Sequence, residues 1–182
     1  AWITGGGEYT STGTTTLDGT NQTLSGNTVF HNLSKTVTAA DTLFFDFTSR
    51  QSVSGALTLQ GAASNLLSLR STLTASAANL LLDGTSGTQS LSYLNVKDND
   101  ASGGAEIVCY TGAASENCAD SGGNTNWQFG QKIVGTVYSD EGTTVLASKT
   151  VSVSTNGGAV QDTTVADAGG QFTLSGVTLT GG

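Results

Sequence analysis

Residues 51–98 read QSVSGALTLQGAASNLLSLRSTLTASAANLLLDGTSGTQSLSYLNVKD. Short apolar runs recur here: Val53 to Leu59, Leu66 to Leu69, Leu80 to Leu82 and Leu91 to Val96. Gly, Ser, Thr, Ala, Asn and Asp separate them. Val53, Leu57 and Leu59 share one parity, with Gly55 between them. That is strand periodicity, because successive side chains in a strand point to opposite faces. No run is long enough for a good helix. The stretch predicts a stack or wrap of short strands, a scaffold rather than a reaction centre.

Outward from this stretch the theme continues. TLSGNTVFHNL at 23–33 resembles SVSGALTLQGA at 52–62, an offset of 29 residues. Such a repeat suits the coils of a solenoid, which bury their apolar faces only by stacking. DTLFFDF at 41–47 is the most aromatic strand; Phe44, Phe45 and Phe47 are expected to contribute to the core, with at least one on the other face. Residues 63–78 hold enough Ala for a short helix on propensity alone. Frequent Thr and Ser favour strand there instead. Trp127 and Phe129 straddle a polar residue and suit a strand that seals the end of a β core. Residues 1–20 are Thr-rich and extended after the Gly5-Gly6-Gly7 break, which lacks the GK[ST] ending of a phosphate loop.

A boundary falls near Gly130. Beyond it, strands are predicted at 132–138, 149–155, 159–166 and 171–179, with Asn156-Gly157-Gly158 as a hairpin signal. Four or five strands are fewer than the seven usual for a sandwich of this class. The expected architecture is therefore all-β. An N-terminal extended segment, 1–20, precedes a short β-helix or solenoid-like domain over 21–130. An incomplete immunoglobulin-like β-sandwich follows over 131–182.

Composition narrows the function classes. Charged residues are only 11%, well below an ordinary soluble domain, while the 36% hydrophobic content is too high for simple disorder. The net charge is −8, and the six basic residues stand singly, so no patch exists to neutralise nucleic-acid phosphates or anionic lipid. No run approaches a transmembrane helix. The chain has no Met and opens Ala1-Trp2-Ile3, which points to a processed product or a fragment. Cys109 and Cys118 frame a loop that a disulfide can close, implying an oxidising, extracellular or cell-surface setting. Two buried free thiols are the alternative; two Cys alone make a poor metal site.

Chemistry finds few footholds. His31 is the single His, with no Ser or Asp at a triad-like spacing. Asp46, Asp83, Asp98 and Asp100 could in principle pair for sugar chemistry, with only Arg50, Arg70 and Lys97 as basic company. Asp98, Asp100 and Glu106 offer hard oxygens to calcium without an EF-hand spacing. Asn21 and Asn32 head sequons and are glycosylation candidates. No catalytic residue and no cofactor are expected.

Three stretches carry a resemblance: NLLSLRS at 65–71, LSYLNVKDND at 91–100 and SGGNTNWQF at 121–129. They resemble repeats of large secreted or cell-surface proteins of bacteria and archaea with parallel β-helix-like domains. KIVGTVYSDEGTTVLASKTVSVSTNGG with DAGGQFTLSGVTL resembles the immunoglobulin-like, carboxypeptidase-regulatory-type modules that follow such repeats. In that family the module runs on for a further strand after the position of Gly181, which this sequence lacks. The resemblance implies no catalytic residue. A missing strand leaves an open edge that another chain can fill. Trp2, Ile3, Tyr9 and Leu17 mark residues 1–17 as the donor, and head-to-tail donation between copies gives a filament. A surface adhesin or carbohydrate-binding module is the second function class. A polysaccharide-degrading enzyme on a β-helix scaffold is the third.

Overall fold

The computed structural model describes residues 2–3, 9–109, 118–155 and 157–177. Among these every regular element is a strand. The chain divides into two units, the first ending at Gln128 and the second running from Phe129.

The first unit is wound in circuits of three strands. β1 (Trp2–Ile3), β2 (Tyr9–Thr10) and β3 (Thr14–Thr16) form the first circuit. β4 (Gln22–Ser25), β5 (Thr28–Phe30) and β6 (Asn32–Thr36) form the second. β7 (Asp41–Phe45), β8 (Arg50–Val53) and β9 (Ala56–Gln60) form the third, and β10 (Leu67–Ser71), β11 (Ala78–Leu82) and β12 (Thr88–Ser92) the fourth. β13 (Leu94–Lys97), β14 (Asn99–Asp100), β15 (Ile107–Cys109), β16 (Ala119–Asp120) and β17 (Trp127–Phe129) follow.

From β1 to β11 each strand pairs in parallel with the strand three places on, and β13 pairs so with β16. The sheets run β1-β4-β7-β10-β13-β16, then β14-β11-β8-β5-β2, then β12-β9-β6-β3, with β15 and β17 paired separately. Parallel neighbours need a long crossover. Here each crossover is made of the strands of the other two sheets.

Register stacks like on like. Leu43, Leu69 and Val96 lie opposite one another, as do Leu67 and Leu94, Phe30, Val53 and Leu82, and Leu33 and Leu57. All are buried. Leu57, Leu59, Leu67, Leu69, Leu80 and Leu82 therefore sit on strands and face the interior, as the parity of 51–98 predicts. Tight corners between strands are turned by Asn21, Asp98 and Asn126 at φ near +50°, a conformation that Asn and Asp tolerate better than other side-chain-bearing residues.

Several expectations need correction. The 29-residue alignment of 23–33 with 52–62 sets Leu24 beside Val53. In the structure Leu24 lies opposite Phe45, and Val53 opposite Phe30, in a different sheet. The repeat length is not constant: positions 14 and 32, 18 apart, pair, as do 43 and 69, 26 apart, and 57 and 89, 32 apart. Turns of unequal length absorb the difference. Phe45 is buried, but Phe44 faces outward and Phe47 is exposed. In β17 the side chain turned inward is Gln128, not the two aromatics. The described strands of the N-terminal segment are paired within their own chain rather than left for donation. Trp2–Ile3 pairs with Leu24–Ser25, Tyr9–Thr10 with Thr28–Val29, and Thr14–Thr16 with Asn32–Ser34, all in its own chain. The short strands of the Thr-rich stretch lie in register on those of the next circuit, so the nearest sheet edge is in its own chain.

The second unit is antiparallel. β18 (Gln131–Thr136) pairs with β21 (Gln171–Val177), and β19 (Thr150–Ser154) with β20 (Val160–Val165). The last two are joined across Gly157, at φ 70°. Leu174 and Val177 are buried, whereas Val134, Val160 and Val165 stay 60–67% exposed.

Candidate functional site

The most unusual chemistry lies inside the first unit, at the corner between its third and first sheets. In β6, Leu33 and Lys35 share the inward parity, so the lysine follows the leucine into the core and is 0% exposed. Its Nζ lies 2.7 Å from Gly19 O, 3.0 Å from Gln22 Oε1 and 2.8 Å from Asp41 Oδ2. Asp41 opens β7 on that strand's inward parity, with Leu43 and Phe45. Its Oδ1 accepts the N–H groups of Asn21 (2.8 Å) and Thr42 (2.7 Å). Burial pushes the Asp41 pKa up, but the Asn21, Lys35 and Thr42 bonds outweigh it and hold the carboxyl below its ordinary value. Gly19 lets the Gln22 side chain close in: a Cβ there would sit 3.2 Å from Gln22 Cδ. Sequence reading passed over this group. Its signal was opposite charges on the inward parity of two successive strands.

The calcium candidates do not converge. Asp98 Oδ2 accepts Ala75 N at 3.0 Å, and Asp100 Oδ1 accepts Ser102 N at 2.8 Å. The Glu106 backbone carbonyl accepts the Gln89 carboxamide. Among the described residues no three His, Cys, Asp or Glu side chains group as a metal site. The carboxylates weighed for sugar chemistry are turn caps. Asp46 Oδ1 holds Thr48 N, and Asp83 Oδ1 holds Thr85 N and Ser86 N, bonds that lower the Asp83 pKa. Arg70 donates to Leu69 O and Asn95 O; burial draws its pKa down, against the pull of Asp98.

His31 Nδ1 lies 3.4 Å from Ser54 Oγ, a neighbour from the next circuit that sequence spacing could not reveal. The hydroxyl is turned to Phe30 O, and the pair sits on the surface. The two sequons differ. Asn21 is exposed, whereas the Asn32 carboxamide is spent between circuits, accepting Ala56 N at 2.7 Å and donating to Thr14 Oγ1 at 3.1 Å.

Cys109 and Cys118 form a disulfide with Cα atoms 5.8 Å apart. Beside β15, the Gln89 carboxamide imitates a backbone strand: it donates to Glu106 O and accepts Val108 N at 2.8 Å. Of the residues cast for assembly, Leu17 is buried and Tyr9 41% exposed. In the second unit a cleft of 460 Å³ separates β18 and β21 from β20, lined by Val134, Thr136, Val165 and Phe172 among others. Among the described residues no helix is long and apolar enough to cross a membrane.

Compared with protein-family models, curated proteins and solved structures, the chain finds no match.

Proposed function

We propose that the chain is a non-catalytic structural protein of the extracellular or cell-surface kind. In this reading the first unit is a three-faced parallel β-helix. The second is an immunoglobulin-like sandwich, and copies join head to tail. One observation carries the reading: the same three-strand rotation runs through all three sheets, and among the described residues no strand pairs with the outer edge of β3. Unsatisfied edges invite another chain. Outward positions of the third sheet add no charge. Thr16, Ser34, Thr58 and Ser90 form one rank across it, a surface of short hydroxyls rather than of acids and bases. The disulfide supports an oxidising location.

Because Tyr9–Thr10 and Thr14–Thr16 complete sheets of their own chain, the proposed joint uses the outer edge of Thr14–Thr16, not the segment as a donated strand. The second unit of the next copy, with its exposed Val134, Val160 and Val165, is the other half. Such a heterologous contact does not close on itself. Leu17 N donates to Ser34 O, so by alternation the Thr16 N–H faces the open edge of β3. Thr16→Pro then removes a donor from the joint without removing an in-chain ladder bond. The oxidised chain is expected to sediment as concentration-dependent polymers visible by electron microscopy. Thr16→Pro is expected to shift it to monomer with unchanged circular dichroism. A wild-type chain that stays monomeric at high concentration defeats the assembly reading.

A further inference from the structure

The Lys35 corner contains the parts of an amide-forming centre: a buried amine, a buried carboxylate and a half-buried carboxamide. We propose that Lys35 and Gln22 form an intramolecular isopeptide bond, with Asp41 as the proton carrier. The site goes beyond the assembly reading and does not depend on it.

The geometry favours Gln22 over Asp41 as the group attacked. Lys35 Nζ touches both side chains, at 3.0 and 2.8 Å. A carboxylate is a poor electrophile, and Asp41 is further held in that form by two backbone N–H groups on Oδ1. The Gln22 carbonyl carbon is neutral, and its nitrogen can leave as ammonia. Asp41 Oδ2 faces the amine along the 2.8 Å contact, placed to take and return a proton. Gly19 anchors both reactants, since its carbonyl holds Nζ at 2.7 Å and its missing side chain admits the carboxamide.

The step balances. Asp41 takes one proton from the Lys35 ammonium, and the free amine attacks Gln22 Cδ. Asp41 delivers that proton to Nε2 and takes a second from Nζ. The tetrahedral centre collapses, the Cδ–Nε2 bond breaks and a Cδ–Nζ amide remains. The departing ammonia collects the second proton and leaves as ammonium, restoring the Asp41 carboxylate. No oxidant or other co-reactant is needed. Escape of ammonia removes the reverse reaction.

Mass spectrometry of the purified full chain tests this directly. The intact mass is expected to fall short of the disulfide-bonded sequence value by one ammonia. Trypsin does not cut after an acylated lysine, so residues 1–50 are expected as one ammonia-deficient peptide rather than as 1–35 and 36–50. Asp41→Asn is expected to restore the full mass and the cut at Lys35. Gln22→Ala, which keeps the ion pair, provides the same readout should Asp41→Asn not fold. A wild-type chain of full mass, cut after Lys35, overturns the proposal and leaves an ion pair only. Loss of water in place of ammonia also overturns it, because Asp41 would then be the group attacked.

Discussion

Lys35 stands where the strands beside it in register carry Leu59 and Leu91. A buried cation at such a position is tolerable only when its partners are fixed, and removing one partner of a buried pair costs about 3–5 kcal/mol. Asp41 supplies the charge and also ties down the N–H groups of Asn21 and Thr42. The folded Asp41 pKa lies below 3.8, so in that window the unfolded chain binds more protons. Stability is then complete above the ordinary value and is lost as pH falls from there through the lowered folded value. Urea titrations at a series of acid pH values are expected to show a steeper loss for wild type than for Asp41→Asn. Equal slopes would remove Asp41 from the account.

Strands are the scale at which the sequence was most readable. Alternation marked Val53, Leu57 and Leu59 as one face because they share a parity, with Thr58 turned the other way. The strands beyond Gly130 were predicted within a few residues, aided by Asn156-Gly157-Gly158. Pairing was harder. Nothing in Leu24 says whether Phe45 or Val53 lies opposite, since both are apolar and corner lengths vary. For the same reason His31 and Ser54 could not be joined on paper. The Lys35–Asp41 pair was legible in parity but hidden by the habit of assigning charge to the surface. Leu69 tests the rank directly, because Leu43 and Val96 flank it from the circuits on either side. Leu69→Ala is expected to destabilise by about 2–5 kcal/mol. Leu73→Ala, on an exposed turn, is expected to stay within about 0.5 kcal/mol. Denaturant midpoints that move equally for both would refute the interior rank.

At the scale of the whole molecule, the all-β character and the change of pattern near Gly130 were readable because composition and strand spacing shift there. The fate of residues 1–17 was not. Their strands looked available only while the sheets they complete were unknown. Within the first unit the late strands are short, and Cys109–Cys118 ties β15 to the chain entering β16. A cross-link over so short a span is worth about 2–3 kcal/mol. Cys109→Ala/Cys118→Ala is expected to lose that amount in denaturant melts, and dithiothreitol to bring wild type to the same midpoint. An unchanged midpoint would mean that the bridge contributes nothing to holding these strands.

The unequal repeat lengths have a practical outcome. The segment Asp83–Gly87 bulges between β11 and β12 while Leu82 and Leu91 keep their places in the wall. Foreign peptide spliced there would be carried like a flag on a mast, and a whole winding could be gained or dropped without disturbing those that remain.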